Sequence, residues 1–158
     1  MLTEVTKRTW PVDLLDEILR VEGRFKSTFA DFRRGIDLNE SELMLLNALC
    51  AAEGPATVSQ VARSMGYARQ LIQRAANALL SKSLIESLPN PDHKRAALLQ
   101  PSAQGWDLKR KVNARAQAVA DALQDEVDVN HIYAAISAIR TVRKALEGHQ
   151  RADSKKPD

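Results

Sequence analysis

A chain of 158 residues is long enough to bury about two thirds of its unfolded surface around one core. Hydrophobic residues make up 44% and charged residues 27%, which excludes wholesale disorder and fibrous repeats, and the charge-free run Leu43–Ala52 is far too short to span a bilayer. With 23 Lys and Arg against 20 Asp and Glu the net charge is only +3, so an acidic partner has to be sought in how charge is distributed.

Few aromatics (Phe 3, Trp 2, Tyr 2) among many Ala and Leu favour helix packed on helix. The lone Cys50 excludes an intramolecular disulfide and any Cys-pair zinc site, and suits a reducing compartment. The N-terminus carries Glu4, Lys7 and Arg8 without an apolar h-region, so the chain is expected in the cytoplasm rather than secreted.

In chain order, Pro11 fits a first helical turn, and Leu15, Ile18, Leu19, Phe25, Phe29 and Phe32 recur at helical spacing as far as Gly35. Asn39 with Glu42 three residues on predicts a capping box opening a helix through Ala52, stopped by Gly54-Pro55. Thr57 with Gln60 repeats the pattern ahead of a short helix over Val58–Ser64, and Met65-Gly66 supplies the sharp turn of a helix-turn-helix before the next helix near Ala68. Leu84–Leu88 and Ala96–Leu99 flank Pro89-Asn90-Pro91-Asp92 and read as a β-hairpin. Ser102 caps a helix to about Gln124, and Asp128 or Asn130 begins a last one, with Ile132, Ile136, Ile139, Val142 and Leu146 on one face and Gly148 at its end. The polar tail through Arg151, Lys155 and Lys156 reads as disordered.

The helix after Ala68 carries the chemistry. At about 100° per residue, Arg69, Gln70, Gln73, Arg74 and Asn77 share one arc of roughly 140°, opposite Leu71, Ile72, Ala75, Ala76 and Leu79. Two Arg, two Gln and one Asn are side chains that pair bidentately with guanine and adenine edges in a major groove. A solvated surface face is the plainer reading, yet such faces usually include Glu and Asp, and none lies between Ala56 and Ile85. From Gly54 to Arg95 six bases (Arg63, Arg69, Arg74, Lys82, Lys94, Arg95) stand against Glu86 and Asp92, a local charge of +4, as counterion release along a duplex requires. His93, Lys94 and Arg95 put cations at the hairpin tip, within reach of a phosphate or a minor groove.

These residues resemble the MarR family of winged-helix transcription regulators from about Leu14 to Leu146. The likeness is carried by Leu38-Asn39-Glu40-Ser41-Glu42-Leu43, by Val58–Gly66, by Arg69-Gln70-Leu71-Ile72-Gln73-Arg74, and by Lys94-Arg95-Ala96 with Gly105 beyond. It implies a mainly α fold with a small β-hairpin wing. A winged helix-turn-helix lobe over 39–101 is flanked by long terminal helices, 10–36 and 102–148, that form a dimerisation region, with a disordered tail at 149–158. It further implies a homodimer gripping double-stranded DNA at a palindromic operator. Control would come from a small aromatic or phenolic ligand, or from thiol oxidation. The expected DNA contacts are Arg69, Gln70, Gln73, Arg74, Asn77, His93, Lys94 and Arg95. The sequence departs from the family at four places. His93 stands where the wing usually has the aspartate that orients its arginine, Ala68 where a serine usually caps the reading helix, Ser83 where a glycine precedes the first wing strand, and Pro101-Ser102-Ala103 where Leu-Thr-Pro is usual.

The apolar stripes of the first and last helices exceed what one small lobe can cover, so a second chain is their expected cover, against packing of the two termini on each other. Cys50 sits in an apolar helix and reads as structural rather than redox-sensing. His93, His131 and His149 lack metal-ligand spacing, and no cofactor is expected. Trp10 and Trp106 read as core before pocket. No Ser-His-Asp, Cys-His or phosphate-cradling glycine loop is present, so an enzyme is not expected. The leading reading is a homodimeric DNA-binding repressor; the alternative is a winged-helix dimer that has lost DNA binding and serves as a protein interaction module.

Overall fold

A computed structural model describes residues 9–28, 35–93 and 95–153, in two compact units, Met1–Ala114 and Arg115–Asp158. In the first, helix α1 (Trp10–Thr28) holds Pro11 in its opening turn, where the missing N–H costs nothing, and buries none of its residues. The expected continuation through Phe29 and Phe32 lies outside the described residues.

Helices α2 (Glu40–Ala51) and α3 (Val58–Met65) both open on the expected capping boxes. Asn39 Oδ1 accepts the Glu42 N–H at 3.0 Å while Glu42 Oε2 accepts the Asn39 N–H at 3.1 Å. Thr57 Oγ1 and Gln60 Oε1 exchange the same pair of bonds at 3.2 and 2.7 Å. Gly66 ends α3 at φ 70°, and the N–H of Tyr67 turns back to the Ala62 carbonyl at 3.0 Å, a left-handed position at which a side chain costs about 1–2 kcal/mol. Two residues later α4 (Arg69–Ser81) begins.

The core lies among these three helices and the hairpin. Leu45, Leu46, Ile72 and Leu79 are fully buried, joined by Leu49, Val61, Ala62, Ala75, Ala76, Ile85 and Leu99. Each large aliphatic chain withdrawn from water stabilises the lobe by about 1.5–3 kcal/mol, and the alanines let the helix axes approach. One charge is buried with them. Glu42 lies 2.9 Å from Lys82 Nζ, which also donates to the Asp37 carbonyl at 2.5 Å, so the start of α2 is tied to the end of α4.

Strands β1 (Ile85–Leu88) and β2 (Leu98–Pro101) pair antiparallel, Ile85 opposite Pro101 and Leu88 opposite Leu98. The second strand therefore lies two residues later than the apolar run Ala96–Leu99 predicts. Ala96 belongs to the turn instead, its N–H on the His93 carbonyl and its own carbonyl on Asn90 Nδ2. On the other side of β2, Ala56 and Leu99 exchange N–H···O bonds of 3.0 and 2.9 Å, an isolated bridge that adds the α2–α3 connection to the sheet.

Helix α5 (Ala103–Ala122) starts on Ser102, whose Oγ accepts the Gly105 N–H at 3.0 Å; from Arg115 onward it belongs to the second unit. There, Asp128 Oδ1 accepts the Asn130 N–H at 2.8 Å ahead of α6 (Val129–Asp153). The expected stop at Gly148 is corrected, since the helix runs on to Asp153. An interior glycine costs only about 1 kcal/mol, too little to end a helix without a left-handed turn behind it. Residues 154–158 of the expected tail lie outside the described residues.

Candidate nucleic-acid interface

The segment Arg69–Ser81 consists largely of strong helix formers, and its two faces divide as the wheel predicts. Ile72, Ala75, Ala76 and Leu79 are buried and Leu71 is half-buried, while Arg69, Gln70, Gln73, Arg74 and Asn77 are all exposed. Gln73 Nε2 donates to Asn77 Oδ1 at 3.0 Å, so two amides one turn apart are held side by side. Ala68 supplies no side-chain cap, and only its carbonyl enters the helix, accepting from Leu71 and Ile72. Among the described residues, no side chain caps the start of α4.

The hairpin brings a second group to this face. Arg95 lines one cleft of about 250 Å³ together with Arg69 and Gln73 of α4 and with Thr57 and Ser59 at the start of α3. Two guanidiniums, an amide and the hydroxyls of Ser59 and Ser87 line it over Val58, Ala76, Leu80 and Leu99, a set of donors suited to anionic oxygens, while the Thr57 hydroxyl already donates to Gln60 Oε1 at 2.9 Å. Gln70, Arg74 and Asn77 share the exposed helix face without lining the cleft. His93 is exposed at the hairpin tip, its Nδ1 accepting the Arg95 N–H at 3.4 Å. Lys94 lies outside the described residues.

The local basic charge is redistributed by the fold. Lys82, one of the six bases of this segment, is spent on Glu42 and Asp37, and the hydrogen bond it donates to Glu42, together with the pull of both carboxylates, raises its pKa above the ordinary 10.5 against a smaller opposing effect of desolvation. Its partners lie outside the segment, so sequence proximity did not reveal the pairing. Thr57, Ser59 and Asn90 were missed as well; a polar residue between two prolines was the available signal for Asn90.

Burial pushes the Cys50 thiol upward, against a smaller opposing pull from Lys109, the reverse of the depressed pKa that thiol sensing needs. Among the described residues, no three His, Cys, Asp or Glu side chains gather as a metal site, and no helix is long and apolar enough to cross a membrane.

The MarR family model matches residues 36–96, the span from the approach to α2 through the hairpin turn. An uncharacterized protein of Mycobacterium tuberculosis is 35% identical over 94 residues, 60% of this chain and 66% of that protein, so the chain spans just under two thirds of that relative. Among solved structures, a mutant MarR from E. coli complexed with operator DNA superposes with a TM-score of 0.66 at 19% identity, over 83% of this chain and 94% of that one. A Staphylococcus aureus MarR in complex with salicylate and kanamycin gives 0.70 at 12% identity, over 85% and 90%. Residues 36–96 are thus a MarR-family segment, and the chain has the winged helix-turn-helix fold of the MarR structures on which it superposes.

Proposed function

We propose that the protein is a homodimeric, sequence-specific DNA-binding regulator, a cytoplasmic repressor rather than an enzyme. The helix at 68–81 enters the major groove of a pseudo-palindromic operator and the wing at 89–96 meets the minor groove or the backbone. The observation that carries this reading is the outward, acid-free row Arg69, Gln70, Gln73, Arg74 and Asn77, with Arg95 brought beside its first turn. Arginine and the amides read base edges, whereas Arg95, His93 and Lys94 contribute sequence-independent attraction. The operator complex of the E. coli structure supports the same use of this fold. The terminal helices, 10–36 and 102–148, form the dimerisation region in this reading. A small aromatic ligand is its effector in this reading, supported by an open concavity of about 450 Å³ in which Met44, Tyr67 and Leu71 lie beside Asn39, Glu40 and Ser41.

The test is a salt-titrated duplex titration on fragments recovered by genome-wide selection. A shared inverted repeat is expected, with log affinity falling steeply against log salt. Arg74→Ala should relax discrimination at one base by about 1–3 kcal/mol. Absent or salt-independent binding would overturn the reading. The uncapped start of α4 favours one rival, a winged-helix dimer that binds protein instead of DNA. A stoichiometric protein partner surviving nuclease treatment, with no retained operator, would establish that rival.

A further inference from the structure

The family's usual wing aspartate is absent, yet Arg95 faces the same cleft as Arg69 and Gln73. A guanidinium on an exposed turn loses conformational freedom when it binds, and whatever restrains its backbone beforehand reduces that cost. The restraint here comes from Asn90. It sits between Pro89 and Pro91, which limit the backbone on both sides, and among the described residues from Pro89 to Arg95 it alone is not exposed.

Its side chain closes the tip in two directions. Oδ1 accepts the Asp92 N–H at 3.0 Å, and Nδ2 donates across the turn to the Ala96 carbonyl at 2.8 Å. Its carbonyl accepts the His93 N–H at 3.3 Å, the His93 carbonyl accepts the Ala96 N–H at 3.1 Å, and the His93 ring takes the Arg95 N–H. Arg95 is thus enclosed in a loop of uncharged hydrogen bonds with Asn90 at its base. An aspartate could accept the first bond but could not donate the second.

We propose that Asn90 is the positioning residue of the wing, holding Arg95 toward the α4 face in place of an aspartate–arginine ion pair. This rests on the DNA-reading function proposed above.

A double-mutant cycle tests it. Asn90→Ala should weaken operator binding about three- to tenfold, the worth of one or two net hydrogen bonds. In an Arg95→Ala background the same change should have less than about a twofold effect, because the two act as one unit. Although it removes no charge, Asn90→Ala should also flatten the salt slope by up to about one, as loss of a phosphate contact does. An equal loss in both backgrounds, or no loss in either, would overturn the proposal. In the free protein, nitrogen-relaxation order at the Arg95 and Ala96 amides should fall in Asn90→Ala while α2–α4 stay unchanged. Unchanged order at those two amides would overturn it without reference to DNA. A parent chain that retains no duplex, with order still falling at Arg95, would refute the DNA reading and leave the positioning role standing.

Discussion

At Gly105 a single absent methyl group decides how the wing meets the helix behind it. A Cβ built there would lie 2.0 Å from the Leu84 carbonyl oxygen and 3.3 Å from Leu46 Cδ1. Neither can yield: Leu46 is fully buried, and the Leu84 carbonyl already accepts the Ser102 N–H at 3.1 Å. Ser83, just before it, holds a left-handed φ of 56°, and its carbonyl accepts the Ser102 hydroxyl at 2.6 Å. The Ser83-Leu84 elbow is thus locked to the start of α5 by two hydrogen bonds and a contact that only glycine permits. Gly105→Ala should destabilise the protein by about 3 kcal/mol or more, at the upper end of overpacking costs, measured by urea unfolding. The neighbouring Ala103→Gly, on an exposed position, should cost about 1 kcal/mol or less.

Between elements, the contact to watch is the one joining α2 to α4. Glu42 serves its own helix as the capping carboxylate and a second helix as the partner of Lys82. Hydrogen bonding to Glu42 raises the Lys82 pKa, so the charged form is preferred in the folded state. That contribution is complete below the ordinary lysine value of 10.5 and is lost as pH rises through the higher folded value. Thermal melts of the parent and Lys82→Met should therefore differ by a constant amount from neutral pH to about pH 10 and converge at higher pH. Convergence on acidification alone would point to a different origin for the effect. What was legible in the sequence follows the same division. Capping boxes, the Gly66 turn and the two faces of α4 are local patterns, fixed by residues three or four apart, and each could be read directly. The strand register, the Ala56 bridge and the Glu42–Lys82 pair are set by residues far apart in the chain, where no period links the partners. The hairpin tip failed for a further reason. Asn90 draws Ala96 out of the strand through a side-chain bond that an apolar run cannot reveal.

At the scale of the whole molecule, the proposed dimer would cover apolar side chains that the single chain leaves exposed. In α1, Leu15, Ile18 and Leu19, spaced three and four apart on one face, are exposed. In α6, Ile132, Tyr133, Ile136, Ile139 and Leu146 are likewise exposed. Fully burying a side chain of this size returns about 1.5–3 kcal/mol and these are about half exposed, so it takes both stripes, covered on both copies, to offset the freedom lost on pairing. A two-fold arrangement would also set two α4 helices about 34 Å apart, one turn of duplex, as an inverted repeat requires. Ile136→Asp places a charge within one stripe without touching the lobe's core. In sedimentation at micromolar concentration the parent should run as a dimer and this variant as a monomer. On a full inverted repeat the variant should lose most of its affinity and about half of its salt slope, while its binding to a single half-site stays close to that of the parent. The slope is the informative quantity, because it counts displaced counterions and hence the lobes engaged, independently of how tightly each one holds.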